Sequence, residues 1–498
     1  MNAVELIAES AGVSPGELLG NTQKVAHGTT ATVNAMVQRR GAKTGLITTK
    51  GFKDHLIIMK AGRGVGVPDA EKARFSRALK PGPLVPDTLT EEVRERIDYA
   101  GRVLSPLDEG DVRLAIQRLL DKGVKAIAIS LLWSFRNPEH ELYIRDLVRE
   151  MAPHITVSTG SELVPVMGEY ERTTTAVINA YLGPILARYV HSLQGTLDAR
   201  GFRFPMLLMQ SDGGLIPGNA TPQRAVTTVL SGLAAGVLGA RQIGQTLNCP
   251  NIITIDMGGT SFEVGMVHQG NPVIENFPLT PRLAPYMARW RIAAPAIDIT
   301  AIGAGGGSIA RVENGLLKVG PVSAGAAPGP ACYNRRGTEP TVTDAFLVLG
   351  YLNPNNFLGG RMRVDKERSI RAIKEKVADP LGEDVITAAS GIYRVVINHM
   401  ADLIRKVTIE QGHDPREFVM VAFGGCGPMH CGILGNELGV SKVIVPGSGL
   451  ATALSAYGLM ISDMKSTIAL TKSLSEPFNE ADVRQHLREV TEKATANA

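Results

Sequence analysis

One short stretch of the sequence combines residue types that could bind a phosphate and a metal ion. An apolar run ends at Asp256, and glycines and hydroxyl residues separate it from a second apolar run. This pattern predicts a strand–turn–strand hairpin whose backbone N–H groups and hydroxyls could cradle an anion. The turn residues are Gly258, Gly259, Thr260 and Ser261. Asp256 would repel a bare phosphate, so the stretch favours a divalent cation, most simply Mg²⁺, between the two. A plain tight hairpin capped by Asp256 is the alternative.

Two further glycine-rich loops could take part in the same chemistry. The second of them follows an apolar strand and enters a helix N-terminus, which is a usual place for a nucleotide. Their members are Gly305, Gly306, Gly307 and Ser308 in the first loop and Gly424, Gly425 and Gly427 in the second. Neither loop has the G-x-x-x-x-G-K-[ST] spacing or the G-x-G-x-x-G spacing. The sequence therefore argues against classical P-loop and Rossmann sites.

Three isolated residues could contribute a base or a metal partner, and two of them have a structural alternative. His27 follows a short strand and could meet a phosphate or substrate oxygen, or could be a hydrogen-bonded turn histidine. Asp298 and Asp344 lie near the glycine loop and the "TEPTVTDA" loop and could serve as base or metal partner. A helix cap is the alternative for Asp344.

Cysteines and arginines add weaker candidates. Cys426, His430 and Cys431 suggest zinc, but they lack a second pair of ligands elsewhere in the sequence. Cys332 could be a nucleophile or a structural thiol. Two adjacent arginines could hold a substrate carboxylate or face solvent; they are Arg335 and Arg336.

Composition limits the class of protein that positions these residues. The 498 residues are 44% apolar and 20% charged, which predicts two to four globular domains. A net charge of +4 without clusters predicts no nucleic-acid partner, and the apolar run 445–462 is interrupted by proline and glycine, which argues against a membrane span. Four cysteines without paired spacing, and no signal peptide, predict a reducing, cytoplasmic setting.

Amphipathic helices alternate with apolar strands along the chain, which predicts α/β layers. Predicted helices cover residues 112–120, 138–151, 235–247, 385–411 and 430–439, and predicted strands cover residues 124–133, 154–160, 251–257, 418–423 and 442–446. A domain change is expected near residues 195–205. Three glycine loops on such elements, one with a strand-end aspartate, resemble the actin-like ATPase fold of sugar kinases, acetate kinase and actin. That fold implies two related α/β domains that clasp ATP between them.

Longer segments resemble the A-type subunit of the hydantoinase/oxoprolinase family. The segments are residues 27–63, "SFRNPEHE" (134–141), "EYERTTTAVINAY" (169–181), "DMGGTSFEVG" (256–265), residues 303–345 and "FGGCGPMHCGILGNELGV" near residue 424. The resemblance implies an N-terminal-type domain at 1–200, an ATPase-type domain at 201–465 and the start of a C-terminal region at 466–498.

The resemblance also implies the ligands and their positions. ATP and Mg²⁺ are the implied cofactors, with Asp256 on a metal-bound water and residues 258–261 on phosphate. Residues 305–308 are implied for phosphate or a substrate oxyanion, and Gly424, Gly425 and Gly427 for adenosine. Glu263 stands where relatives usually have aspartate, and it could still bind a metal water.

Two departures from the family pattern lead to further expectations. Relatives carry a first D-x-G-G-T hairpin ahead of the helix that begins at Met1, and they continue beyond residue 498. We therefore expect that the ATP-binding site between the two domains is incomplete on its N-terminal side. We also expect weak ATP hydrolysis by the chain alone.

Family chemistry implies two possible functions, and the absence of the first hairpin suggests a third. The first is an ATP-dependent hydrolase subunit that phosphorylates the carbonyl oxygen of a small cyclic amide, such as hydantoin or 5-oxoproline, and works with a B-type subunit in a hetero-oligomer. The second is a subunit of an acetone or acetophenone carboxylase that acts on a ketone. The third is an inactive fragment or a nucleotide-binding scaffold subunit.

Overall fold

The computed structural model describes residues 2–61, 82–275, 290–447, 449–469, 471–472, 474 and 476–496. The helices are α1 (Asn2–Ala11), α2 (Pro15–Gly20), α3 (Ala31–Val37), α4 (His55–Ile58), α5 (Glu109–Asp121), α6 (Glu139–Met151), α7 (Gly160–Leu163), α8 (Glu169–Asp198), α9 (Ser231–Thr246), α10 (Val342–Val348), α11 (Lys366–Ile373), α12 (Asp379–Leu381), α13 (Val385–Ile409), α14 (Cys431–Leu438), α15 (Leu450–Ile461) and α16 (Glu480–Ala496).

The strands are β1 (Ala26–His27), β2 (Thr44–Thr49), β3 (Thr90–Val93), β4 (Arg96–Ile97), β5 (Val103–Ser105), β6 (Ala126–Ser130), β7 (Thr156–Thr159), β8 (Leu207–Met209), β9 (Leu215–Pro217), β10 (Ile252–Met257), β11 (Phe262–His268), β12 (Asn271–Pro272), β13 (Ile274–Glu275), β14 (Ala296–Ile297), β15 (Ile299–Ile302), β16 (Ser308–Glu313), β17 (Leu316–Ser323), β18 (Val419–Phe423) and β19 (Lys442–Ile444). Paired segments outside the larger sheets are β4 with β5, β13 with β14, and β16 with β17.

A parallel sheet in the order β3-β2-β6-β7 organises the first part of the chain. Helix α5 buries Val112, Ile116 and Leu119, which recur at the helical period, against the apolar strands of this sheet. The predicted helices 112–120 and 138–151 and the strands that follow them are confirmed. The alternation of helix and strand was therefore a reliable guide to this layer.

A second sheet joins distant parts of the chain. Strand β1 runs parallel to β8, with Ala26 opposite Leu207, and β8 forms a hairpin with β9. One apolar core packs Leu19 together with Leu186 of α8 and Leu208 of β8. Packing is continuous across residue 200, and a domain division there stays a prediction.

The third sheet carries the predicted phosphate hairpin. Its order is β12-β11-β10-β18-β19, and β15 pairs with β11. Alternate residues of β10 point to opposite faces: Ile253 and Ile255 pack in the core that contains α13, and Ile252 packs in the core that contains α9. Strands β10 and β18 are parallel, so the loops that follow them leave from the same edge of the sheet.

Helices α9 and α15 pack unusually closely on that second face. A Cβ atom at Gly458 would lie 1.8 Å from the Ala235 carbonyl oxygen, and one at Gly239 would lie 2.8 Å from the Leu454 carbonyl oxygen. Glycine is therefore required at these crossings.

Among the described residues, no single helix has both the length and the apolar composition of a membrane span. Residues 218–228 and 231–246 reach that length and composition only as a pair, and a 92° bend separates them.

Candidate active site

Asp256 and Glu263 face each other across the β10–β11 hairpin. The two residues are register partners in the antiparallel pair, and Asp256 is also the partner of Phe423 on β18. Directly opposed residues have Cβ atoms about 4.5–5.5 Å apart, so the hairpin places two carboxylates side by side at the carboxyl edge of the sheet. Both side chains lie on the sheet face that α9 covers.

The environment of this carboxylate pair favours its neutral form. Burial raises the pKa of Asp256 to about 6. Burial also raises the pKa of Glu263 to about 7; a hydrogen bond with Ser261 acts in the opposite direction, and the charge of Asp256 raises the pKa further. Two acids that repel each other in a partly dry site are stabilised as carboxylates by a bound cation.

These residues fit a divalent cation such as Mg²⁺. In the described part of the chain, neither carboxylate has an ion-pair partner among the lysines, arginines and histidines, and no group of three or more His, Cys, Asp or Glu side chains could hold a metal. Magnesium is commonly bound by one or two carboxylates, with water and substrate phosphates completing the shell. Asp256 and Glu263 supply that type of donor set.

The turn of the hairpin offers free donors and open space. Gly258 N–H donates to the Ser261 carbonyl at 3.2 Å, which closes the turn, whereas the N–H groups of Gly259, Thr260 and Ser261 have no backbone acceptor among the residues described. At Gly258 and Gly259, a Cβ atom would meet no described atom within 4 Å, and neither residue has a positive φ. The fold itself does not require glycine here, so the open space favours the close approach of a ligand.

The loop of residues 305–308 braces the hairpin. Gly306 N–H donates to the Gly258 carbonyl at 3.1 Å, and Gly307 N–H donates to the Gly259 carbonyl at 2.7 Å. Gly305 N–H donates to the Ser308 hydroxyl at 2.8 Å, and Ser308 N–H donates to the Gly305 carbonyl. These N–H groups have acceptors within the protein, and they hold the turn in place. Binding of phosphate or an oxyanion by this loop stays a prediction.

The loop of residues 424–427 lies against the other side of the hairpin. Cys426 N–H donates to the Met257 carbonyl at 2.8 Å. Gly424 has a φ of +82°, and a Cβ atom there would lie 2.1 Å from Asp256 Oδ1. Gly425 is exposed and has no described atom near its Cβ position. The other two glycine loops thus both contact the hairpin, with open space at Gly258, Gly259 and Gly425.

His27 and Asp298 lie away from this meeting point. His27 Nε2 is 2.6 Å from the Tyr189 hydroxyl, and the two rings stack, which agrees with the interpretation as a hydrogen-bonded histidine. Asp298 accepts a hydrogen bond from Gln411. It precedes β15, in which Ile302 pairs with Phe262 beside the turn and Ile299 pairs with Gly265 farther away. Asp298 is therefore at the opposite end of the sheet from the glycine turn.

Asp344 and the cysteines have structural environments. Buried Asp344 forms a capping box with Thr341 and also accepts hydrogen bonds from Ala331 N–H, Cys332 N–H and the Ser369 hydroxyl. The helix-cap alternative is therefore the better interpretation of Asp344. Burial raises the pKa of the Cys332 thiol, which argues against a nucleophile.

The residues proposed for zinc point in different directions. The Cys431 thiol lies 3.1 Å from the Pro428 carbonyl, while Cys426 lies beside Gly306. His430 is buried among the rings of Phe346 and Tyr393, and burial lowers its pKa to about 4. The two arginines proposed to hold a substrate carboxylate are exposed; they are Arg335 and Arg336.

A second strand-end aspartate was missed at the sequence level. Asp212, Gly213 and Gly214 connect β8 to β9, so an apolar strand again runs into an aspartate and two glycines. Asp212 is 8% exposed and pairs with Lys465 at 3.0 Å. An aspartate closely followed by a glycine pair, as D-M-G-G at 256–259 and D-G-G at 212–214, was a usable signal for this second hairpin.

Replacing Glu263 with glutamine is expected to stabilise the metal-free protein. The pKa of Glu263 is raised from 4.5 to about 7 on folding, so between these values the folded state holds a proton that the unfolded state has lost. Stability then falls as pH rises through this window. Glu263→Gln removes the penalty, worth about 3 kcal/mol above pH 7 and little near pH 4.5.

Urea unfolding in EDTA at pH 5 and pH 8 measures this difference. The exposed Glu9→Gln substitution is the control and should change neither value. A stabilisation by Glu263→Gln of the same size at both pH values would show that the carboxyl charge is not its cause.

Comparison with known proteins identifies the family of the chain. The chain matches the hydantoinase/oxoprolinase family model over residues 172–468 and the hydantoinase/oxoprolinase N-terminal region model over residues 1–152. Caprolactamase subunit alpha of Pseudomonas jessenii is 38% identical over 501 residues, which cover 100% of this chain and 70% of that protein. The acetophenone carboxylase gamma subunit of Aromatoleum aromaticum is 38% identical over 475 residues, which cover 93% of this chain and 63% of that subunit.

The crystal structure of the ATP-dependent caprolactamase from P. jessenii superposes with a TM-score of 0.86 and 37% identity, covering 100% of this chain and 70% of that one. Fold and glycine loops together define an α/β protein with the actin-like ATPase fold. Within that class, the chain belongs to the hydantoinase/oxoprolinase family. Its residues span about two thirds of the length of these relatives.

Proposed function

We propose that the chain is the ATP-dependent subunit of a hydrolase that opens small cyclic amides. The observation that carries this proposal is the open space at Gly258 and Gly259 beside two carboxylates that have no cationic partner in the described ranges. Because the fold does not need glycine at these two positions, the space beside them is available to the phosphate chain of ATP. The two carboxylates can bind the divalent cation that accompanies those phosphates.

The proposed reaction activates an amide carbonyl that water attacks slowly. The carbonyl oxygen forms a bond to the γ-phosphorus of ATP, the bond from that phosphorus to the β-phosphate oxygen breaks, and ADP leaves. A first water adds to the activated carbon, the ring C–N bond breaks with a proton passing to the nitrogen, and an acyl phosphate forms; a second water then hydrolyses this acyl phosphate to the carboxylate and inorganic phosphate. When bound, Mg²⁺ would offset negative charge on the phosphates.

The residues of this chain mainly position the reacting groups. Asp256 and Glu263 would hold the cation or its waters. The N–H groups of residues 259–261 would donate to phosphate oxygens, and Gly425 would leave room for adenosine. Such preorganised donors lower the barrier because they need no rearrangement as charge develops.

A second subunit is part of the proposal. The related caprolactamase and acetophenone carboxylase chains are named as the alpha and the gamma subunit of their enzymes. We therefore propose that this chain works in a hetero-oligomer with a B-type subunit.

A ketone carboxylase subunit is the second candidate function. The 38% identity to the acetophenone carboxylase gamma subunit equals the identity to caprolactamase subunit alpha. An enolate oxygen or bicarbonate would then take the phosphoryl group, and ATP turnover would depend on bicarbonate.

The test is ATP hydrolysis by the chain, alone and with a B-type subunit. Hydantoin, 5-oxoproline, and acetophenone with bicarbonate are the three additions. Stimulation by a cyclic amide without bicarbonate supports the hydrolase, and stimulation that needs both ketone and bicarbonate replaces it with the carboxylase. If the protein binds Mg²⁺-ATP but no addition stimulates ATP hydrolysis, both the hydrolase and the carboxylase functions are contradicted.

A further inference from the structure

The segment of residues 335–376 carries an excess of positive charge. It contains nine lysines and arginines and five aspartates and glutamates, so its net charge equals the +4 of the whole chain. These cations alternate with carboxylates and with apolar residues, and no long charged run marks them in the sequence. The charges are therefore spread along the chain but collected on one part of the folded surface.

Most of these cations are exposed and have no carboxylate partner in the part of the chain that the structure describes. Three of the nine form ion pairs with nearby carboxylates, namely Arg368, Lys374 and Lys376. We call the other six the basic patch; they are Arg335, Arg336, Arg361, Arg363, Lys366 and Arg371. Because these like charges repel one another and are not neutralised, the basic patch attracts anions.

Packing contacts hold the two ends of the basic patch together. Asp365 N–H donates to the Cys332 carbonyl at 2.9 Å, and the ring centroids of Tyr333 and Phe357 are 5.6 Å apart. Buried Val364 belongs to the same apolar cluster as Cys332. The turn that follows Tyr333 and the start of α11 are therefore neighbours on the surface.

The basic patch adjoins the loops of the proposed ATP site. Thr343 N–H donates to the Gly306 carbonyl at 2.8 Å, and a Cβ atom at Gly306 would lie 3.1 Å from Cys426 Sγ. Burial raises the pKa of the Tyr333 hydroxyl to about 12; the charge of Cys426 also raises this pKa, and the charge of Arg335 lowers it. Coulomb interactions weaken with distance, so Tyr333 is close both to the loop that carries Cys426 and to the basic patch.

We propose that the basic patch steers ATP toward its site by long-range electrostatic attraction. ATP keeps a net negative charge when Mg²⁺ is bound, and a surface of opposite charge beside a binding site raises association rates by about 10–10³-fold. This inference rests on the proposed ATP site and extends it to the approach of the nucleotide. Because the cations act from a distance, they should change how fast ATP arrives and not how long it stays bound.

Stopped-flow binding of a fluorescent ATP analogue with Mg²⁺ measures both rates. The patch variant combines Arg335→Gln, Arg336→Gln and Lys366→Gln. The control variant removes the same charge from exposed positions in the part of the chain that forms the first two sheets; it combines Lys125→Gln, Arg188→Gln and Arg203→Gln.

The expected effect depends on ionic strength. At about 10 mM, where the Debye length is about 30 Å, the patch variant should bind the analogue about fivefold or more slowly than the unmodified chain. The control variant should slow association by less than about twofold, because its lost charges are remote from the site. At about 1 M, where the Debye length is about 3 Å, all three proteins should associate at the same rate. Dissociation rates should be equal throughout.

A lysine variant separates steering from direct contact with bound ATP. Arg335→Lys combined with Arg336→Lys keeps the charge but loses the planar guanidinium groups that form paired hydrogen bonds with phosphate. Steering predicts the rates of the unmodified chain. Faster dissociation from the lysine variant or from the patch variant would show a direct contact instead and would overturn the proposal.

Other contrary results also overturn it. Equal association rates of the patch variant and the unmodified chain at low ionic strength exclude steering, and equal slowing by the patch and control variants would assign the effect to net charge alone. Normal association with ATP but lost assembly with a B-type subunit would make the basic patch a docking surface for that subunit. If the unmodified chain does not bind the analogue, this inference and the ATP site both fail. If the rates are as expected but no addition stimulates ATP hydrolysis, steering stands and the proposed function fails.

Discussion

Asp256→Asn is expected to abolish Mg²⁺-dependent binding of ATP while leaving the fold intact. Asparagine has the size of aspartate but no charge, so the cation loses one of the two carboxylates that the hairpin provides. Changes one shell farther from a metal already cost about 10–100-fold in affinity. Removing this carboxylate should therefore cost on the order of 100-fold or more, and ATP turnover should fall with it.

The measurement is ATP binding by calorimetry with Mg²⁺ and again with EDTA. The substitution should weaken binding in Mg²⁺ and change it little in EDTA, where the carboxylate has no cation to hold. Asp298→Asn is the matched control, because Asp298 lies at the opposite end of the sheet and should leave both affinities unchanged. If Asp298→Asn instead removed Mg²⁺ dependence, the metal site would have to be reassigned.

The hairpin and its aspartate were predictable because they depend on local pattern. Apolar alternation places β10 and β11, and a pair of glycines between them requires a turn. The opposition of Asp256 and Glu263 then follows from the hairpin register alone. Two residues of the candidate site could thus be read from a single stretch of sequence.

Long-range contacts were not predictable in the same way. Asp298 lies five residues before Gly303 in the sequence, but a strand rises about 3.3 Å per residue, so β15 carries it away from the turn. Likewise, the acceptors of Gly306 and Gly307 N–H belong to the hairpin about 50 residues earlier. One sequence does not reveal which distant carbonyl will accept from a given N–H group, so the contact of residues 305–308 with the hairpin could not be predicted.

Gly424→Ala is expected to cost both stability and nucleotide binding. Its φ of +82° disfavours a side chain, and the added Cβ would lie 2.1 Å from Asp256 Oδ1 and 2.7 Å from the Met257 carbonyl oxygen. The backbone oxygen cannot rotate away, so β18 or β10 has to shift; strain and overpacking together cost about 2–5 kcal/mol. The displaced Asp256 should also lose its cation.

Two neighbouring glycines separate these effects. Gly425→Ala adds a Cβ to space where no described atom lies within 4 Å, so stability should change by less than about 0.5 kcal/mol while ATP binding weakens. Gly432→Ala, on the exposed side of α14, should preserve both. Urea unfolding and ATP titration of the three variants show whether a glycine is needed for packing or for ATP binding. A variant that folds normally but binds ATP poorly has lost a glycine that only the ligand needs. Unchanged ATP affinity in Gly425→Ala would remove this loop from the nucleotide site.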